Sequence, residues 1–380
     1  MSEKRKDNKN RILRTGESQR KDGTYMYRYN DIKGNRRCVY AKDLNSLRDK
    51  EKEIQRDIED GIDNIGGEMT FLELFDEYVD TRQNVRCGTK KNYNIKRNHL
   101  INSGIQNKPI NKITVKDVNL FAKQLQSNQM AYSTYRIYIS TFKSIFNYAV
   151  EMDYVRKNPF VLKNPIADKQ SSREALTEQE ENNLLNLLKL EKDDYYYNLS
   201  QFILLTGVRI GEALGLTWKD IDFVNKTIRI EKQMGLGEHG QYIITDTKTK
   251  YSHRELYMYT ELYEFLKSLA IKKINNKIEY IINGYSDFIF ISKTGRVPLR
   301  TTIRNSYKKI REKYEKKYNV SVYISPHVLR HTFCTRMIQK GLNVKTVQYY
   351  MGHSKIDITL NIYSHVNKDT AADDIKRYLG

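Results

Sequence analysis

The chain has 380 residues, with 66 Lys and Arg against 46 Asp and Glu and a formal net charge of +20 at pH 7. Hydrophobic residues make up 39% and aromatic residues 11%, which excludes wholesale disorder, and three distant cysteines (Cys38, Cys87, Cys334) exclude a disulfide scaffold or a Cys-based zinc site. A multidomain protein whose field attracts a polyanion is expected, against the blander reading of a basic enzyme whose charge serves solubility.

Met1 to Arg20 is charged throughout and has no apolar h-region, and no apolar run nears the ~20 residues that span a bilayer. The expectation is therefore a soluble, intracellular protein without a membrane partner. Residues 1–50 hold 15 Lys and Arg against seven Asp and Glu. After a solvated tail and a short strand near Ile12–Thr15, the β-prone stretches Gly23–Asp31 and Arg36–Ala41 flank the turn Lys33-Gly34-Asn35 and predict a hairpin. Asp43-Leu-Asn-Ser46 then opens a charged helix over Leu47–Gly61 with Leu47, Ile54 and Ile58 on one face. Such a sheet would carry Tyr25, Arg28, Arg36 and Arg37, and a two- or three-stranded ribbon can enter a major groove. A basic arm that orders only on binding is the alternative.

The linker Ile62–Gly67 leads to a helical region. Thr70 caps Phe71–Val79, a second helix covers Gly88–Ile101, Thr114 with Asp117 starts a third, and Ser133–Met152 turns Tyr138, Phe142, Ile145, Phe146 and Ala149 inward. Lys90, Lys91, Lys96 and Arg97 would form basic exposed faces that grip phosphates; a purely structural bundle is the alternative. Asn158-Pro159 and Asn164-Pro165 bracket the next connector. The capping box Thr177-Glu-Gln-Glu180 begins the last region, read as helices, a small sheet (Thr227–Lys232, Gln241–Thr245, His253–Met258) and further helices. The domains are expected at 1–64, 68–165 and 172–380.

Three stretches carry chemistry. Thr206-Gly-Val-Arg209-Ile-Gly-Glu212-Ala-Leu-Gly-Leu216 sets an arginine in an otherwise apolar helical run. Burying it requires a partner, and Glu212 at i+3 can hold it so that its remaining donors face a phosphate; a structural ion pair is the competing reading. In Ser325-Pro-His327-Val-Leu-Arg330-His331, Ser325 is an N-cap, Pro326 takes the first helical position and Gly341 ends the helix. His327 and Arg330 fall in the first turn, where free N–H groups favour an anion. His327 and His331 at i and i+4 are also a geometry that binds zinc, but Val328 stands where the hydrolytic motif needs Glu and a third ligand is missing, so metal is the lesser alternative; His331 is expected to pack. Tyr349-Tyr350-Met351-Gly-His353-Ser354 turns toward Tyr363, while Tyr349 and Tyr350 lie on a helix patterned as core by Val344, Val347 and Met351. With neither a carboxylate cluster for Mg²⁺ nor a Gly-rich phosphate loop, phosphoryl chemistry here needs a protein nucleophile.

Thr206-Gly-Val-Arg209-Ile-Gly-Glu212, His327-Val-Leu-Arg330-His331, Met351-Gly-His353 and Tyr363 ten residues on, in that order, resemble the tyrosine recombinase (phage-type integrase) superfamily. Arg20–Tyr29 and the three-part layout are similar to integrases of conjugative transposons. Met351 departs from the Leu frequent there, a conservative swap. The resemblance implies a mainly α fold with small β-sheets: an arm-binding ribbon with a helix, a helical core-binding domain and a mixed α/β catalytic domain. It implies Tyr363 as the nucleophile that forms a 3′-phosphotyrosine, Arg209 and Arg330 as the phosphate clamp, and His327 and His353 as further donors. Lys248, matching the family's Lys-Thr-Lys hairpin, would protonate the leaving 5′ oxygen, with Lys250 as the alternative. No metal, cofactor or ATP is implied. The implied partners are double-stranded DNA at element ends and target sites, a tetramer passing through a four-way junction, and an accessory DNA-bending or excision factor. A tail helix over Asp369–Leu379 would pack its stripe (Ala371, Ala372, Ile375, Leu379) on a neighbouring protomer. A type IB topoisomerase and a non-catalytic regulator are the competing functions; the basic N-terminal module speaks against the first and the complete set of motifs against the second.

Overall fold

The computed structural model describes residues 5–63, 66–82, 87–127, 130–162, 175–237, 240–246, 253–273, 280–354 and 356. The chain divides into two compact units, Met1–Gln170 and Ser171–Gly380. Both are mainly helical with small antiparallel sheets, as expected.

The first unit begins with a sheet of β1 (Glu17–Gln19), β2 (Tyr25–Asn30) and β3 (Arg36–Ala41), covered by α1 (Leu44–Glu59). β1 starts later than the expected Ile12–Thr15, because a turn closed by Glu17 N–H on the Arg14 carbonyl (3.1 Å) must end before ladder pairing can begin. The register pairs Tyr25 with Ala41 and Tyr27 with Val39, and this face packs on Leu44 and Leu47 of α1. Asp43 caps α1 by accepting from Ser46 N–H, so the helix opens at Leu44 rather than Leu47.

This register corrects one expectation. Tyr25 is buried, its hydroxyl donates to Asp7 Oδ2 (2.9 Å) and accepts from Arg11 Nη2 (2.7 Å), and it therefore builds the core of this layer instead of facing a groove. Arg28 and Arg36 lie exposed on the opposite face, where Arg28 pairs with Cys38 and Asn30 with Arg36. Arg37 is exposed on the helix-facing register and its Nε donates to Asp31 Oδ2 at 3.1 Å.

A second core in this unit joins α2 (Phe71–Asp80), α3 (Cys87–Ile101), α4 (Val115–Ser127) and α5 (Tyr132–Glu151). Capping boxes at Thr70/Glu73 and Thr114/Asp117 begin α2 and α4 as read from the sequence. Phe71, Phe75, Phe121, Phe142, Phe146 and Phe160 are the largest fully buried side chains in its interior. Lys90 and Lys91 are exposed. Lys96 is not: it falls on the inward side of α3 with Tyr93 and Leu100, its Nζ donates to Thr141 Oγ1 (2.7 Å), and it lies over the rings of Tyr93 and Tyr138. Three- and four-residue spacing from those two apolar positions explains the burial, which also lowers its pKa. Arg97 spends two donors on Asp76, both at 2.6 Å.

The second unit runs α6 (Glu178–Leu190), α7 (Asp194–Thr206), α8 (Ile210–Gly215), β4 (Ile221–Asp222), β5 (Thr227–Ile230), β6 (Lys232–Leu236), β7 (Tyr242–Asp246), β8 (Arg254–Tyr257), α9 (Thr260–Lys273), α10 (Arg300–Tyr318), α11 (Pro326–Gln339) and α12 (Val344–Met351). The small sheet expected from the sequence is two sheets. β5 pairs directly with β8 in the order β4-β5-β8, while β7 pairs with β6. Lys-Gln-Met-Gly-Leu of β6 shows little strand pattern and escaped the sequence reading. A single apolar core gathers α6, α7, α10 and both sheets, with Leu199, Phe202, Leu204, Ile228 and Leu256 fully buried.

Candidate active site

Arg209 does not sit inside a continuous helix, as its apolar surroundings suggested. Gly207 at φ +65° closes α7 in the left-handed region, and the chain restarts with Arg209 as the extended N-cap of α8. A side chain at Gly207 would also run into Phe333 and, at 2.8 Å, Met351 Sδ. The restart brings Glu212 under Arg209 twice: the Arg209 backbone N–H donates to Oε2 (2.9 Å) and Nη1 to Oε1 (2.8 Å).

α11 carries Arg330. Ser325 caps it by accepting from Val328 N–H, Pro326 occupies the first turn, and Gly341 follows the helix at φ +83°. Arg336 holds the far half of this helix to Glu181 Oε1 (2.7 Å) and to the Leu204 carbonyl (2.6 Å). Arg330 is buried; its Nη1 donates to the Gly207 carbonyl (2.5 Å) and its Nη2 to the Met351 carbonyl. His327 stands one turn earlier, exposed, and His331 is half-buried beside Arg330 in sequence.

The end of α12 is where these elements meet. Helix C-termini leave carbonyls without intrahelical partners. Here three consecutive ones are taken by three different arginines: Tyr350 O by Arg254 Nε (2.7 Å), Met351 O by Arg330 Nη2, and Gly352 O by Arg209 Nη2 (2.8 Å). Arg254 also donates from Nη2 to Glu212 Oε2 at 2.8 Å, so one carboxylate joins two of the three guanidiniums. Gly352 takes φ +60° and passes so close that a Cβ would lie 2.9 Å from Arg254 Nη1. His353 follows, buried, its backbone N–H on the Gln348 carbonyl (3.2 Å).

Charge is unbalanced in this cluster. Burial would raise Glu212, but Arg254, then Arg209 and Arg330, outweigh it and hold the carboxyl at about 2. Burial, with Arg209 next, pulls Arg330 down to about 9. Burial, then Arg330, Arg209 and Arg254, push His353 down to about 3, so its imidazole is neutral at pH 7. Three cations around one anion leave an excess of positive charge that a phosphate diester would neutralise.

The structure thus brings Arg209, Glu212, Arg330 and His353 together. Lys248, Lys250, Tyr363 and the tail from Asp369 to Leu379 lie outside the described residues. Tyr349 and Tyr350, the nearest alternatives to Tyr363, have phenol oxygens that accept from the backbone N–H groups of Glu255 (3.1 Å) and Tyr257 (3.3 Å). Sequence reasoning missed Arg254. Its signal was an arginine on the apolar side of an alternating strand, in step with Leu256 and Met258 and alternating with exposed Glu255 and Tyr257.

The phage integrase family matches residues 174–370, a phage integrase SAM-like domain matches 70–166, and the DNA binding domain of tn916 integrase matches 1–58. The transposase from transposon Tn916 of Enterococcus faecalis is 38% identical, covering 99% of this chain and 97% of the relative. The transposase from transposon Tn1545 of Streptococcus pneumoniae has the same identity and coverage. The Tn1549 transposon integrase, solved in complex with a circular intermediate DNA, is 30% identical over 81% of this chain and 99% of its own, with a TM-score of 0.74. A lambda integrase dimer bound to a core site, at 16% identity and a TM-score of 0.57, shares the fold. The chain belongs to the phage integrase family and is a tyrosine-type site-specific recombinase of the kind found in conjugative transposons.

Proposed function

We propose that this recombinase integrates and excises a mobile DNA element by cutting and rejoining DNA through a 3′-phosphotyrosine at Tyr363. The observation that carries the reading is the convergence of Arg209, Arg330 and His353 on the turn after α12, ten residues before Tyr363. A phenol with a pKa of about 10 is a poor nucleophile until its proton leaves or a positive field lowers that pKa. Tyr363 attacks the scissile phosphorus in line; the 5′ oxygen departs and takes a proton from Lys248, with Lys250 the alternative donor. Arg209 and Arg330 bind the non-bridging oxygens and stabilise the charge that grows on them, commonly the largest contribution to such catalysis. His353, neutral and buried, donates to the same oxygens, and His327 takes the tyrosine proton. The diester energy stays in the protein–DNA bond, so the 5′-hydroxyl of a second strand reverses the step and completes exchange.

Two rounds of exchange require four protomers on two DNA sites, passing through a Holliday junction; the tail from residue 367 is proposed to join neighbouring protomers. The arm sheet, through Arg28 and Arg36, and the bundle, through Lys90 and Lys91, would bind the DNA at element ends and target sites. The relative solved with circular intermediate DNA supports that choice of partner. Work on chromosomal DNA would place the protein at the nucleoid. The test is exchange between two duplexes bearing element ends, in chelator and without nucleotide. Joined products from wild type and none from Tyr363→Phe are expected; products from the variant, or relaxation of one plasmid without exchange, would refute the reading.

A further inference from the structure

We infer that Arg254 is a positioning residue for strand cleavage, fixing at once the Arg209 guanidinium and the turn that leads to the nucleophile; the inference rests on the proposed tyrosine chemistry. Three observations carry it. First, the Arg254 side chain is fully buried, and its charged head sits against Glu212 (side chain 2% exposed) rather than solvent. An arginine is expensive in such a place unless its donors are directed. Second, two of its hydrogen bonds join two functional elements: Nη2 to Glu212 Oε2, the carboxylate whose other oxygen holds Arg209 Nη1, and Nε to Tyr350 O, the first of the three carbonyls bound at the end of α12. Third, the close passage of Gly352, whose Cβ position would be 2.9 Å from Arg254 Nη1 and 3.4 Å from Arg209 Nη1, leaves that turn little room once Arg254 is in place.

The consequence is a division of labour among the three arginines. Arg209 and Arg330 each combine a structural bond with donors for the phosphate. Arg254 reaches no oxygen of the DNA; it acts through Glu212 and through the carbonyl of Tyr350. Without it Glu212 keeps only its two bonds to Arg209, and the Arg209–Glu212 pair, no longer tied to β8, can shift together. A lysine keeps the charge but cannot bridge carboxylate and carbonyl in a fixed fork.

The test compares Arg254→Lys and Arg254→Gln with wild type in full-length protein, under single-turnover conditions on a nicked suicide substrate. The expected result is a maximal cleavage rate lowered roughly 10- to 100-fold with half-saturating DNA within about twofold of wild type, as for lost alignment at the reacting centre. Combined with Arg209→Ala, the loss should fall well short of the product of the two single losses, since one of the two routes by which Arg254 acts passes through the Arg209 guanidinium. Arg254→Lys guards against misfolding: a thermal midpoint near wild type must accompany its slow cleavage. Wild-type rates in the Arg254 variants, or losses that multiply in full with Arg209→Ala, would overturn the inference. The underlying tyrosine reading fails separately, and only if Tyr363→Phe still forms a covalent adduct.

Discussion

Arginine stands in two different environments in the two units of this chain. On the arm sheet, Arg28 and Arg36 stand exposed on one face. In the second unit, Arg254 and Arg330 are buried and their donors are already directed at Glu212 and at backbone carbonyls. On the function proposed above, the first kind keeps its conformational freedom until DNA arrives, adds affinity and weakens with salt. The second has its geometry set in the fold, and on the same proposal it lowers the barrier of the chemical step. The proposal thus assigns one residue type to affinity at one place and to rate at the other, with burial deciding which.

Substitutions that exchange these roles test the comparison. The largest effect is expected from Arg330→Ala, which removes a proposed phosphate donor and strands the carbonyls of Gly207 and Met351. Cleavage should fall by about 10²–10³ or more, measured in single turnover, while mobility shifts show DNA still bound. Next comes Glu212→Ala, which leaves Arg209 and Arg254 facing each other with no carboxylate. Breaking a buried pair in this way costs about 3–5 kcal/mol, read as a lowered denaturant midpoint; an unchanged midpoint would show that the cluster is not electrostatically tight.

The pH dependence follows from the same cluster. Glu212 and His353 both have folded pKa values below their ordinary ones, about 2 against 4.5 and about 3 against 6.5. The unfolded chain then binds more protons, and stability must rise with pH through those windows. Acidification from pH 7 should destabilise the protein first through His353, from about 6.5 downward, and then through Glu212, from about 4.5 downward. Thermal midpoints that hold or rise between pH 7 and 5 would contradict the burial of His353. The smallest effect belongs to the exposed pair: Arg28→Ala with Arg36→Ala should flatten the slope of log affinity against log salt by about 0.9 for each phosphate that is no longer neutralised. Lys96→Met, now assigned to the bundle core, should leave that slope unchanged.

The sequence shows those features most clearly where one residue type has one strong local purpose. Thr70/Glu73 and Thr177/Glu180 begin helices as read, Ser325-Pro326 and Gly341 bound α11 as read, and Glu212 buttresses Arg209 as read. Composition misled where an amphipathic side chain changed sides. Lys96 and Tyr25 look like surface groups, yet helix phase and strand register turn both inward, their polar tips satisfied by Thr141 and by Asp7 and Arg11. β6 was invisible because its stability comes from pairing with β7, a non-local contact. The break at Gly207 hid in a run that reads as uninterrupted helix, and the arginine hub hid because its acceptors are backbone carbonyls, which every sequence has. Among the site residues, those that bind side chains were legible; the bonds to the end of α12 required coordinates.

The central claim is that a phosphate held by these arginines becomes joined to Tyr363. Its most direct measurement is proteolysis and mass spectrometry of the covalent product formed in chelator on a nicked element-end duplex. The account predicts a DNA fragment linked through its 3′ phosphate to the peptide containing Tyr363, in wild type and not in Tyr363→Phe. A fragment on Tyr349 or Tyr350 instead would contradict it, as would an adduct that forms only when magnesium is supplied.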